Sequence, residues 1–383
     1  MKMTSNQSRL QTLLKAATLL TLLFTGSHVI NSLAASRGLD KQIENLESEA
    51  PAESVTDLNS SDLPFQSGAR NSQEEPPTTS VANYYQNDLV TAHDICAEAW
   101  DVEVDVIPPW LQTPVVAEQL HTEIPYNLLA GRLISNGLVD ASMCENNGVF
   151  FNGAANACGL AQALPMVITW QNQFDEIILQ AAKDNRVPAY LLKRLFARET
   201  QFWPGTTWVE YEYGLGQATS FGLDGLFQYY PEYFNAVCPE LFSKDTCYYG
   251  YADLTPYEQS MIRGYFATHF LKADCDSCEG NIDIARVNQS IDLFAKLLVA
   301  NCHQVNQIVY NTTEKKAGEY ASYEDLWRFT LANYNAGSGC VNKSIVNMYD
   351  DDMDFTWDNF ANQLIEQGNV CAGAIDYTFE ISR

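Results

Sequence analysis

Apolar residues in the carboxyl-terminal half of the chain recur every three or four positions, the spacing of amphipathic α-helices. One predicted helix begins at Pro188 and carries an apolar stripe from Leu191 to Phe196, which Glu199 extends. Another spans the apolar positions between 291 and 309. The pattern therefore predicts a mainly α-helical fold for this half.

Helix boundaries are also marked in the sequence. Thr255 is followed three positions later by Glu258, and Ser322 by Asp325, which are signatures of a capped helix start. The second of these helices is predicted to end at Gly337, since glycine commonly terminates a helix.

The amino-terminal region has the composition of a targeting segment followed by a spacer. Residues 1–34 contain basic residues, an apolar stretch at 16–24 and a small-residue cleavage site at 32–34, so they predict a signal peptide. An uncleaved anchor is the alternative, although the stretch is short for a membrane span. Residues 35–88 are acidic and polar and predict a disordered linker.

The remaining residues divide into two predicted parts. Residues 89–170 form an N-terminal extension or an accessory subdomain, and residues 171–383 form the main helical domain. A domain of that length buries a substantial core without oligomerising, so we expect a monomer. The leader predicts a secreted or periplasmic protein that keeps no stable membrane span after cleavage.

Ten cysteines behind a secretory leader predict disulfides. The short separations suggest Cys144 with Cys158 and Cys238 with Cys247, although connectivity cannot be deduced from sequence. A zinc site is the alternative for the CxxC at residues 275–278, but a second ligand pair with suitable spacing is missing.

The formal net charge of −26 argues against nucleic acid as a partner, because that interaction requires a basic surface. The acidic run at residues 349–354 does not fit an EF-hand, since Phe355 and Ala361 occupy the positions that need Gly and Glu. We interpret it as a solvated loop and predict no metal.

Candidate chemistry begins with Glu199. Apolar neighbours and the negative end of a helix both favour the protonated carboxyl, which is the form that can protonate a glycosidic oxygen. The alternative for an isolated glutamate is a solvated helix end.

Two further segments belong with this acid. The string YGLGQAT at residues 213–219 predicts a glycine turn in which Gln217 offers an amide to an acetamido sugar, and a purely structural turn is the alternative. The string LANYNAG at residues 331–337 places Tyr334 and Asn335 near a helix end, where a core tyrosine and a helix stop are the alternative.

Together these three segments resemble the lytic transglycosylase and goose-type lysozyme superfamily over roughly the last 210 residues. Three positions depart from the family pattern: Thr200 stands for Ser, Gly216 for Met and Asn333 for Ala.

The resemblance implies a lysozyme-like helical domain that cleaves the β-1,4 bond between N-acetylmuramic acid and N-acetylglucosamine in peptidoglycan strands. Glu199 would be the catalytic acid, and no cofactor would be required. The substrate-binding residues would be Thr200, Gly214, Leu215, Gln217, Tyr334 and Asn335. Tyr334 would orient the acid or the scissile sugar, and Asn335 would hold the loop that shapes the cleft.

By the same resemblance, closure of a 1,6-anhydro ring on the muramic sugar would replace attack by water. A hydrolytic muramidase and a catalytically inactive wall-binding protein on the same fold are the alternatives. The candidates for a second carboxylate are Glu210, Glu212 and Asp224, and each is expected to be surface charge in so acidic a chain.

Overall fold

The computed structural model describes residues 94–205 and 212–383, which are mainly helical and include no β-strand. The predicted signal peptide (1–34) and linker (35–88) lie outside the described residues. The α-helices, numbered in chain order, are α1 (Ile95–Trp100), α2 (Asn127–Ser135), α3 (Ala157–Asn172), α4 (Asp175–Asn185), α5 (Ala189–Thr200), α6 (Ser220–Tyr229), α7 (Pro231–Leu241), α8 (Lys244–Cys247), α9 (Pro256–Phe266), α10 (Ile284–Thr313), α11 (Tyr323–Ala336), α12 (Ser338–Asp350), α13 (Trp357–Glu366) and α14 (Asn369–Ser382).

Short irregular helices connect these elements. A π-helical segment, Ala267–Leu271, continues α9. The 3₁₀ turns are Pro109–Leu111, Ala117–Leu120, Glu145–Gly148, Tyr251–Asp253, Glu279–Asn281 and Ala317–Glu319.

The helix boundaries predicted from sequence are confirmed. The Thr255 hydroxyl accepts a 3.3 Å hydrogen bond from the Glu258 amide, and the Glu258 carboxylate accepts one of 2.8 Å from the Thr255 amide. Ser322 caps α11 in the same way, because its hydroxyl accepts from the Asp325 amide at 3.2 Å. Gly337 ends α11 with a φ of 81°, a conformation that glycine adopts without strain.

Helix α10 is the axis of the fold. It is 30 residues long and packs against α1, α4, α6, α11 and α12, so it buries residues on several faces rather than on one stripe. Helix α14 packs against both α5 and α11, which brings Tyr377 of α14 to the last turn of α5.

Residues before position 171 share the core of the later helices. Trp100 and Trp110 belong to the same buried cluster as Leu331, and the described residues belong to one compact unit. Helix α3 also runs through position 170. Within the described residues, the helices before and after position 171 therefore pack around one core.

Five disulfides use all ten cysteines of the chain. The predicted pairs Cys144–Cys158 and Cys238–Cys247 are confirmed. The zinc alternative for residues 275–278 is wrong, because Cys275 and Cys278 are bonded to each other and cannot act as thiolate ligands. The two long-range bridges are Cys96–Cys302 and Cys340–Cys371.

The start of the described chain is fastened to the core at two adjacent points. Cys96 is bonded to Cys302 in the middle of α10. The Asp94 carboxylate caps α1 and accepts hydrogen bonds from Tyr323 Oη at 2.5 Å and Trp327 Nε1 at 3.1 Å, both on α11. Burial raises the pKa of Asp94 to about 6, although these donors lower it. No helix in the described part of the chain is long and apolar enough to cross a membrane.

Candidate active site

Glu199 lies in the last turn of α5 and is half-buried. The preceding turn of this helix buries Leu195 and Phe196 completely, so the carboxyl group has apolar neighbours on its own helix. Its Oε1 accepts a hydrogen bond of 2.5 Å from the hydroxyl of Tyr377, which lies on α14.

The environment of Glu199 favours the neutral acid. Burial raises its pKa to about 7, the hydrogen bond from Tyr377 lowers it, the negative charge of Glu212 raises it, and the positive charge of Arg198 lowers it. Arg198 is itself paired with Glu380 at 2.7 Å, which limits its attraction for the acid. Glu199 therefore keeps its proton to a much higher pH than an ordinary solvated glutamate does.

Tyr377 was not predicted from the sequence. Burial and the charge of Glu199 raise its pKa well above the usual value, so the phenol keeps its proton and remains a donor. It stands 178 positions from the acid, in a helix that no motif marks, and only the packing of α14 on α5 brings the two together.

The glycine turn at residues 213–219 is fixed to the end of α5. The Thr200 hydroxyl is buried and donates to Leu215 O at 3.0 Å. Phe196 O, at 3.2 Å, is a second acceptor for the same hydroxyl. Gly214 has a φ of 71°, and the Gln217 side chain donates to its carbonyl at 2.9 Å. Thr200 and Gln217 thus bind backbone carbonyls of the turn through these hydrogen bonds. The Leu215 side chain is fully buried in the core.

Helix α11 meets the turn from the other side. The Tyr334 hydroxyl donates to Gly216 O at 2.6 Å. A β-carbon at Gly216 would lie 2.4 Å from a ring carbon of Phe294 and 2.9 Å from Tyr334 Oη. The departure from methionine at this position therefore has a packing cause, since the Phe294 ring occupies the space.

The structure thus brings the three segments together, but with a division of roles that differs from the expected one. Burial and the charges of Glu199 and Glu212 raise the pKa of Tyr334 well above the usual value, so this phenol also keeps its proton. Its hydroxyl donates its hydrogen bond to Gly216 O, whereas Tyr377 donates the direct hydrogen bond to the acid.

A cavity of about 680 Å³ lies beside these residues, between α6, α10, α11 and the start of α12. Gln217, Tyr334 and the exposed Asn335 line it, whereas Glu199, Thr200, Gly214 and Leu215 do not. Asn335 makes no side-chain hydrogen bond to another described residue, so the loop-holding role expected for it has no such bond to support it. Glu212 connects the acid to the cavity, because it lines the wall and its charge acts on Glu199.

The candidate second carboxylates differ in their surroundings. Asp224 accepts a hydrogen bond from Arg263 at 2.8 Å and another from Tyr251, which makes it part of an ion-pair cluster. Glu212 is half-buried, and burial raises its pKa, so it is not the surface charge that the sequence suggested. Glu210 lies outside the described residues.

Comparison with known protein families, with curated proteins and with solved structures gave no significant match. Within the described residues, no group of three or more His, Cys, Asp or Glu side chains is placed to hold a metal ion.

Proposed function

We propose that this protein is a secreted, monomeric enzyme with a lysozyme-like helical core that cleaves the β-1,4 bond between N-acetylmuramic acid and N-acetylglucosamine in peptidoglycan. One observation carries the proposal: Glu199, whose pKa is raised to about 7, accepts a hydrogen bond from Tyr377 and lies within electrostatic reach of Glu212, which lines the cavity of about 680 Å³. A general acid is most effective when its pKa lies near the working pH. Five disulfides favour an oxidising compartment outside the cytoplasm, where the wall lies.

The reaction needs two proton transfers, the first from Glu199 and the second back to it. Glu199 gives its proton to the glycosidic oxygen as the bond from that oxygen to C1 of the muramic sugar breaks, and the acetamido group of the same sugar stabilises the positive charge that develops. The ionised Glu199 then takes the proton of the C6 hydroxyl, whose oxygen bonds to C1. The products are a 1,6-anhydromuramic end and a free 4-hydroxyl on the leaving sugar.

The geometry favours Tyr377 as the residue that positions the acid through this cycle. Its hydroxyl donates to Oε1 in the resting state, which leaves the other oxygen of Glu199 for the transferred proton. The same hydrogen bond is strengthened when Glu199 is ionised, because a charged acceptor makes a stronger bond.

The decisive experiment digests purified peptidoglycan with the parent chain and with Glu199→Gln, and weighs the soluble fragments. The parent should release fragments with anhydro ends. Glu199→Gln preserves shape but has no proton to give, so turnover should fall by about 100-fold or more while the protein stays folded. Equal cleavage by the variant would reject the proposal, as would intact strands with both proteins.

Hydrolysis is the second candidate, and the position of Glu212 favours it. This carboxyl lies at the cavity wall, close enough for its charge to raise the pKa of Glu199, and a second carboxylate can activate water as a general base. Reducing ends among the fragments would identify this reaction, and Glu212→Gln would then abolish it. A lyase should retain most of its activity after that substitution.

A further inference from the structure

The wall of the cavity is rich in carboxamides. Six side chains of this type contribute to it: Gln217, Gln228, Asn301, Gln304, Asn333 and Asn335. The described residues that line it include the carboxylates Glu212 and Asp224 but neither Lys nor Arg. Such a surface suits a neutral ligand with many hydrogen-bonding groups and offers no positive charge to an anionic one.

Three of these carboxamides form one bonded cluster. Asn333 Nδ2 donates to Asn301 Oδ1 at 2.7 Å and to Gln304 Oε1 at 2.7 Å. Asn301 Nδ2 donates to the carbonyl of Leu297 at 2.8 Å. Because that carbonyl can only accept, the orientation of the Asn301 amide is fixed, and the orientation of Asn333 follows from it.

This arrangement leaves two groups without a partner. Asn333 is 2% exposed, and its Oδ1 is closed to water and accepts no hydrogen bond from another described residue. Gln304 is half-buried, and its Nε2 donates to no other described residue. Buried polar groups are nearly always paired in folded proteins, so an unpaired acceptor at a cavity wall indicates a partner that arrives from outside.

We propose that the carboxamide cluster of Asn301, Gln304 and Asn333 is a subsite for the acetamido group of a neutral N-acetylhexosamine. An acetamido group presents one N–H donor and one carbonyl acceptor. The N–H would donate to Asn333 Oδ1, and the carbonyl would accept from Gln304 Nε2. Asn333 Oδ1 is closed to water in the free protein, so a side chain of the cavity wall must move when the sugar binds. We expect this side chain to be Gln304, because its only hydrogen bond to another described residue is the one that its oxygen accepts from Asn333.

This subsite rests on the proposed function, and it specifies which of the two peptidoglycan sugars binds in the cavity. Muramic acid carries a carboxylic side arm, free or extended by a peptide, whereas N-acetylglucosamine is uncharged. With Glu212 and Asp224 in the wall and no lysine or arginine among the described lining residues, the cavity accepts the uncharged sugar. Asn333 stands where the resembled motif has alanine, so the subsite belongs to this chain.

The test measures binding without catalysis. Titration calorimetry of the full chain carrying Glu199→Gln uses the β-1,4 trimer of N-acetylglucosamine, with the trimer of glucose as the ligand that lacks acetamido groups. The acetylated trimer should bind about tenfold or more tightly than the glucose trimer. Adding Asn333→Ala should weaken binding of the acetylated trimer by about tenfold and leave that of the glucose trimer unchanged.

Two further variants keep the result decisive. Gln304→Leu should also weaken binding of the acetylated trimer and leave binding of the glucose trimer unchanged. If Asn333→Ala does not fold, the Gln304 variant alone tests the subsite. Gln307→Leu is the matched control, because Gln307 is an exposed amide on α10 bonded to Asn311 outside the cavity, and it should change neither affinity. Equal affinity for the two trimers, or no loss in the folded cluster variants, overturns the subsite.

The two proposals fail separately. If the parent chain cleaves peptidoglycan but the acetylated trimer does not bind through Asn333, the subsite is wrong and the proposed reaction stands. If the trimer binds through Asn333 but peptidoglycan remains intact, the subsite stands as a glycan-binding site and the proposed reaction is wrong.

Discussion

Tyr377 donates a 2.5 Å hydrogen bond to the Oε1 of Glu199 from a helix 178 positions later in the chain. The bond opposes the effect of burial, because it favours the ionised carboxyl while desolvation favours the neutral one. The pKa of about 7 is therefore a balance that a single substitution can move.

Removing the Tyr377 hydroxyl should move the pH profile of the proposed cleavage reaction. In Tyr377→Phe the pKa of Glu199 rises, since the group that stabilises the carboxylate is gone. The alkaline limb of kcat/KM, expected near pH 7 in the parent, should shift upward by about one pH unit. The plateau rate should fall by about tenfold, because the acid loses its fixed orientation.

Tyr334→Phe is the control for that profile. It removes a phenol that donates to Gly216 O rather than to the acid, so it should lower stability with no comparable shift of the limb. If the alkaline limb stays in place or moves to lower pH in Tyr377→Phe, the role of Tyr377 in stabilising the Glu199 carboxylate is contradicted.

Glu199 should also make stability depend on pH. Its pKa is about 7 in the folded chain and about 4.5 when unfolded, so its contribution to stability is present below pH 4.5 and lost as the pH rises through 7. Glu199→Gln stays neutral and can still accept from Tyr377. At pH 8.5 its free energy of unfolding should exceed that of the parent by up to about 3 kcal/mol.

Urea denaturation at pH 5 and pH 8.5 measures this difference. The gain should shrink toward zero at the lower pH, where the parent acid is largely protonated. Glu240→Gln, at an exposed position of α7, should give no such change between the two conditions. A variant less stable than the parent at pH 8.5 would show that the carboxylate is not penalised by burial.

Gly216 should tolerate no side chain. A β-carbon there would overlap the Phe294 ring at 2.4 Å, so Gly216→Ala should destabilise the fold by about 1–3 kcal/mol and reduce turnover by displacing the turn. Gly222→Ala is a close match on the neighbouring helix α6, where the nearest atom to a β-carbon is 3.8 Å away. It should be neutral or stabilise by about 0.5–1 kcal/mol in thermal unfolding.

The disulfides should differ in their effect on stability. Cys96–Cys302 joins residues 206 positions apart, and replacing both cysteines by alanine should cost about 5 kcal/mol if loop entropy dominates. Cys275–Cys278 joins residues 3 apart, and the same change should cost about 2 kcal/mol or less. Denaturation of the two double variants checks the order, and a reversed order would reject the loop-entropy account for this protein.

Local signals allowed part of the site to be predicted from sequence. Pro188 and the apolar stripe placed Glu199 at the end of a helix, and paired glycines marked the turn around Leu215. The short-range pair Cys144–Cys158 was suggested for a similar reason, because close cysteines close a small loop easily. Each of these signals lies within about a dozen residues and depends little on the rest of the chain.

The rest of the site depends on packing between distant helices. Tyr377 and Asn301 look like ordinary positions of amphipathic helices, and only the placement of α14 and α10 gives them partners. Glu212 was predicted to be surface charge because an acidic composition cannot show which carboxyl is desolvated. The pairing of Cys96 with Cys302 was likewise beyond sequence, since ten cysteines permit many connectivities.

The double attachment at the start of the described chain has a mechanical consequence. Tension applied at residue 94 would reach the middle of α10 through a covalent bond after only two residues, so it could not peel α1 from the core turn by turn. The force would instead be shared between α10 and the aromatic side chains of α11 that hold Asp94. A domain pulled from that end would therefore carry the load on its central helices rather than on a helix that can be detached.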